Sequence, residues 1–146
     1  MILGIFHTTI TVRDMDESLK FYRDIMGMEI LRDVILSGPG MDKVVQEKDV
    51  KMRMVWLKAG EGPQIELLHY LNPIGRDLDQ KDTDIRAAHI CLEVEDLRKT
   101  NEYLKSKGVE TWYMPDAPVQ GGALPDGYFS FHIFDPNGFN LEIKQR

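Results

Sequence analysis

Four side chains in this 146-residue chain recur in a pattern that chemistry could use: His7 and Glu66 in the first half, His89 and Glu142 in the second. Imidazole nitrogens and carboxylate oxygens suit one divalent ion of the Ni, Zn, Co, Mn or Fe kind, and the lack of thiolate ligands speaks against structural zinc. Two carboxylates leave such an ion roughly neutral. With four protein ligands on an octahedral ion, two positions stay open for water or for adjacent oxygens of a substrate. The ion would then act as a Lewis acid on charge developing at a substrate oxygen. Taken singly, none of the four is unusual: a strand histidine is more often a hydrogen-bonded structural residue, and a strand glutamate is more often solvated.

Their weight comes from repetition. Residues 4–29 read GIFHTTITVRDMDESLKFYRDIMGME and residues 86–110 read RAAHICLEVEDLRKTNEYLKSKGVE. Each opens with an alternating stretch holding a histidine, runs through Val and Asp into a segment of helical period, and stops at glycine. His7 lies 20 positions before Gly27, and His89 lies 19 before Gly108. A second alternating stretch follows in each half, QIELLHY at 64–70 and FNLEIKQ at 139–145, each with one glutamate.

Period and punctuation then supply the elements. Strand 5–12 precedes a helix capped by Asp14 or Asp16, striped by Leu19, Phe21, Tyr22, Ile25 and Met26, and ended by Gly27. Residues 28–36, 50–59 and 64–71 read as strands, with a loop over 37–49. The second half repeats the order: strand 86–95, helix 96–107 striped by Leu97, Tyr103 and Leu104, a strand from Val109, a Gly/Pro-rich loop at 115–127, then strands 128–134 and 140–145. Asp135-Pro136-Asn137-Gly138 forms the last turn. The expected fold is α+β: two βαβββ modules, 1–71 and 85–146, joined by a polar linker at 72–84, making a curved, cup-like mixed sheet with helices outside.

Alternation assigns faces. Ile10, Val12, Ile65, Leu67, Ile90, Leu92, Leu141 and Ile143 fall on the helix side. His7, Thr9, Thr11, Glu66, Tyr70, His89, Cys91 and Glu142 fall opposite, where the sheets would line the cup. A carboxylate buried there is costly unless compensated, and a cation is one compensation. Met52, Met54 and Trp56 alternate on one face; they are either plain core or an apolar wall for substrate. Thr9, Thr11 and Tyr70 are further candidates for substrate contact, Tyr70 through its hydroxyl. His69 points to the helix side, and the facing of His132 stays open.

Composition narrows the partners. Hydrophobic residues are 42% and charged ones 29%, an ordinary globular balance able to bury a core without staples. The net charge of −6 argues against nucleic acid and anionic membrane, leaving a small-molecule substrate. The single Cys91 cannot make an intrachain disulfide, and the N-terminal residues lack a basic, long-apolar leader; a cytoplasmic location is expected.

HTTITVRDMDESLKFYRDIMGMEI, IELLHYL, AHICLEV and FDPNGFNLEI, in that order, resemble the vicinal oxygen chelate superfamily. Its members include glyoxalase I, methylmalonyl-CoA epimerase, extradiol dioxygenases and bleomycin-binding proteins. Pro118-Val119-Gln120-Gly121-Gly122 resembles a bacterial glyoxalase I motif. Thr11 stands where those enzymes carry arginine, and Met52 where the epimerases carry a catalytic glutamate. The resemblance implies a lyase or isomerase acting on a small oxo- or hydroxy-acyl compound. Its metal-stabilised enediolate would form after Glu66 or Glu142 takes a proton. It also implies a homodimer. The alternatives are an iron(II) extradiol-type dioxygenase and a non-catalytic drug-sequestering protein.

Overall fold

In the computed structural model, residues 1–78, 81–112 and 130–146 are described. The chain divides into two compact units, Met1–Asp79 and Gln80–Arg146.

The first unit contains β1 (His7–Thr11), α1 (Met15–Leu19) continuing into a π-helical stretch (Lys20–Ile25), β2 (Glu29–Ser37), α2 (Pro39–Val45), β3 (Lys51–Lys58) and β4 (Gln64–Asn72). Asp14 caps α1, accepting the Glu17 amide at 2.9 Å. Gly27 closes the helical segment at φ +74°, a conformation that needs no Cβ. The strands order as β1-β4-β3-β2, with β1 parallel to β4 and the other pairs antiparallel. Ile10, Val12, Val55, Leu57, Ile65 and Leu67 are buried, with Met15, Leu19, Phe21 and Tyr22 of the helical segment. Each such side chain contributes about 1.5–3 kcal/mol relative to exposure. On the same side, Arg53 forks onto Asp33 (2.7 and 3.0 Å) and reaches Asp16 (2.7 Å), tying the start of α1 to β2 and β3.

The second unit repeats the plan with β5 (His89–Val94), α3 (Leu97–Ser106), β6 (Thr111–Trp112), β7 (Ser130–Phe134) and β8 (Asn140–Gln145). The order is β5-β8-β7-β6, with β5 parallel to β8. Asp96 caps α3 through the Lys99 amide. Leu97 and Leu104 are buried, as are Phe131, Ile133, Leu141 and Ile143. Asp135 holds the last turn, accepting from the amides of Asn137 and Phe139 at 2.8 Å each.

The expected α+β fold of paired βαβββ modules is what the structure contains. Two details differ. The 37–49 loop holds the short helix α2, begun by Gly38-Pro39, where proline's fixed φ suits the first helical position. Tyr103 is exposed rather than part of the α3 stripe; the buried stripe is Leu97, Asn101 and Leu104, spaced at four and three residues, while Tyr103 lies off it under Lys107. The 115–127 loop, its Pro118–Gly122 motif and the first residues of strand 128–134 lie outside the described residues.

Candidate active site: a histidine–carboxylate pair in each module

Register brings the chemistry of the first module into one row. Thr9 of β1 pairs with Glu66 of β4, Glu66 with Trp56 of β3, and Trp56 with Arg32 of β2. Paired residues in neighbouring strands share a face, so these four side chains cross the whole sheet in line. Glu66 is only 8% exposed. The Thr9 hydroxyl donates to its Oε2 at 2.8 Å, and the Trp56 indole N–H donates to its Oε1 at 2.6 Å. His7 Nε2 lies 3.7 Å from Oε2, beyond hydrogen-bond length. The His7 ring is held by packing against Phe6 (5.6 Å) and Trp56 (5.9 Å), and its buried Nδ1 has no partner among the described residues.

The second module builds the equivalent row. Cys91 of β5 pairs with Glu142 of β8, Glu142 with His132 of β7, and His132 with Trp112 of β6. Glu142 is 7% exposed, and His89 Nε2 lies 3.5 Å from its Oε2. Cys91 takes Thr9's place. Burial foremost, then the charge of Glu142 and a hydrogen bond to it, push the thiol up to about 11, so it faces the carboxylate as a neutral group. His132 takes Trp56's place, its ring 5.8 Å from that of His89. Asn140 donates Nδ2–H to Asp82 at 3.0 Å, which leaves its Oδ1 to accept from His132 Nδ1 at 2.8 Å.

Each expected ligand therefore sits on the face its alternation assigns, paired with its partner: His7 with Glu66, His89 with Glu142. Among the described residues no group of three or more His, Cys, Asp or Glu side chains is poised around one point. The two atoms of each pair stand 3.7 and 3.5 Å apart, wider than the roughly 2.8–3.1 Å between neighbouring ligand atoms on an octahedral ion with bonds of about 2.0–2.2 Å. Thr9 and Trp56 satisfy both oxygens of Glu66 within the module, and the imidazoles of His7 and His89 stand just beyond hydrogen-bond length of the two carboxylates.

The other candidates divide. Thr9 touches Glu66; Thr11 is exposed and pairs with Leu68; Tyr70 lies opposite Met52. Met52 and Met54 are buried on the row's face. Trp56, read from sequence as apolar wall or core, is a hydrogen-bond donor to Glu66. His132 joins the Glu142 row, and the signal for it was in the turn. Asp135 pairs with Phe139 across Asn137, and counting back from that centre sets His132 against Glu142. Arg32 had no signal of its own, because an irregularity in β2 decides its face.

Paired βαβββ modules, each with a histidine on its first strand and a glutamate on its last, define a class of protein rather than one activity. The Glyoxalase/Bleomycin resistance protein/Dioxygenase superfamily model matches residues 4–143, and the chain belongs to that family. It is 30% identical to a probable lactoylglutathione lyase of Synechocystis sp. over 142 residues, covering 97% of this chain and 94% of the relative. It is 25% identical to a 2-epi-5-epi-valiolone epimerase of Actinomyces sp. over 146 residues, covering 97% and 78%. The crystal structure of a glyoxalase family protein from Bacillus cereus superposes with a TM-score of 0.81 at 16% identity, covering 99% and 95%; that likeness concerns fold. Among the described residues no helix is long and apolar enough to cross a membrane.

Proposed function

We propose that this chain is a divalent-metal-dependent lyase or isomerase of glyoxalase I or epimerase type, acting on a small oxo- or hydroxy-acyl substrate. The observation that carries the reading is the duplicated pair, a strand histidine beside a nearly buried glutamate in each module. His7, Glu66, His89 and Glu142 would together hold one ion of Ni, Zn, Co, Mn or Fe. Lyases and epimerases among the relatives support this choice of chemistry over oxygen activation.

When bound, the ion supplies Lewis acidity toward a substrate oxygen. The chain's own groups do the remaining work. Thr9 and Trp56 fix both oxygens of Glu66, so that carboxylate is oriented before substrate arrives. Glu66 or Glu142 takes the proton from the carbon beside the substrate carbonyl or hydroxyl and returns it. Met52 and Met54 give the apolar side of the pocket, with Thr11 and Tyr70 at its polar margin. The protein acts as a homodimer.

S-Lactoylglutathione, the compound for which the related lyases are named, tests this in deuterated water. The metal-loaded protein should exchange the hydrogen on the hydroxyl-bearing carbon, and Glu66→Gln and Glu142→Gln should each slow exchange at least ~100-fold, the scale of a lost general base. Undiminished exchange in both variants would sink the assignment. Oxygen uptake with catechols would favour the dioxygenase reading, and ligand binding without metal uptake the sequestering one.

A further inference from the structure

The row through Glu66 ends on a cation. Between Ile30 and Arg32 the β2–β3 register slips by one residue: Ile30 pairs with Leu57, yet Arg32 pairs with Trp56, and Leu31 is the extra residue of a bulge. Unbroken pairing would set Leu31 against Trp56 and turn Arg32 to the helix side. The bulge turns Arg32 onto the face of His7 and Glu66 and sends Asp33 to the other, where Arg53 grips it. One inserted residue thus assigns the charge of each neighbour to a face.

Arg32 lies over the Trp56 ring, its guanidinium carbon 5.9 Å from the centroid, and makes no ion pair among the described residues. Its nearest companions on the face are Val34, Met54 and Leu68. Two strand spacings separate it from Glu66, about 10 Å at Cα. In a chain of net charge −6, a lone guanidinium there creates a local site for an anion that the overall field would repel. The planar fork matches a carboxylate in bidentate fashion.

We infer that Arg32 is a specificity residue that binds a carboxylate of the substrate remote from its reacting end. The substrate class is then an oxo- or hydroxy-acid with a second acidic group a few carbons away. The inference rests on the metal-centre reading above for where the reacting end lies, and it adds the far end.

Calorimetric titration with 2-oxoglutarate and 2-oxobutyrate tests it, in Mn(II)-loaded and in metal-free protein. Both compounds carry the same 2-oxo-acid head; only the first has a remote carboxylate. Wild type should prefer 2-oxoglutarate by ~10-fold or more, the worth of one charge-assisted pair. Arg32→Gln should erase the preference while leaving 2-oxobutyrate binding and Mn(II) uptake unchanged, and Arg32→Lys should keep part of it. No preference in wild type, or the same preference in Arg32→Gln, overturns the inference. Absence of Mn(II) uptake would count against the metal centre alone, and a preference in metal-free protein that vanishes in Arg32→Gln would still support Arg32.

Discussion

Trp56 donates its indole N–H to Glu66 at 2.6 Å across a β3–β4 register pair, with Thr9 holding the other carboxylate oxygen from β1. Three neighbouring strands thus fix one carboxylate. Trp56→Phe keeps most of the packing and removes the donor. Loss of such an orienting partner lowers metal affinity about 10–100-fold. Competition with a chromophoric chelator should show a drop of that size in Trp56→Phe, a smaller one in Thr9→Val, and a folded protein in both; unchanged affinity would mean that the clamp does not serve the ion.

His132 should hold its neutral-state proton on Nδ1. Asp82 accepts from the Asn140 amide, Asn140 Oδ1 accepts from the ring, and Nε2 is left with its lone pair. Long-range proton–nitrogen spectra of nitrogen-15 histidine-labelled protein should give His132 a bare Nε2. The opposite tautomer would break the chain of donors inferred from Asp82 onward.

Arg53 holds the Asp33 carboxyl below the usual carboxylate range, chiefly by direct hydrogen bonding. A carboxyl whose folded pKa is depressed stabilises the fold above its unfolded pKa, near 3.9, and loses that contribution as pH falls through the folded value. Asp33→Asn should therefore be less stable than wild type at pH 7 by about 1 kcal/mol or less, because the pair is partly solvated. The gap should close in thermal melts taken toward pH 3. A gap that is constant with pH would remove the charge from the explanation.

Leu104 and Tyr103 are adjacent on α3, about 100° apart around the helix axis, and only Leu104 is buried. Leu104→Ala should cost about 2–5 kcal/mol through the cavity it leaves, whereas Tyr103→Ala should cost under about 1 kcal/mol, mostly its contact with Lys107. Urea unfolding of the two variants decides it; equal losses would place Tyr103 in the core after all.

The fold was readable because each half announces itself twice, by a period-two strand with a histidine and by a helix cut off at Gly27 or Gly108. The faces of His7, Glu66, His89 and Glu142 followed from alternation, since no irregularity interrupts β1, β5 or β8, and β4 keeps register around Glu66. What escaped is what alternation cannot carry. A bulge at Leu31 reverses the facing of Arg32, and no residue type in EILRDV marks it. Trp56 looks apolar in a hydrophobic run, and its one polar atom matters only once Glu66 is known to stand opposite. The exposure of Tyr103 and the start of α2 at Gly38-Pro39 were errors of angle and of punctuation, each within reach of a closer count.

The duplication of a histidine–glutamate pair is the centre of this account, and metal stoichiometry tests it most directly. Protein prepared without chelator, reconstituted with Ni, Zn, Co, Mn or Fe and freed of excess ion, should carry one divalent ion per chain by elemental analysis. His7→Ala and His89→Ala should each abolish that single ion rather than halve the content. Two ions per chain, or retention of the ion when either pair is broken, would contradict a shared centre, and a wild-type protein that takes up no divalent metal would contradict the metal chemistry itself.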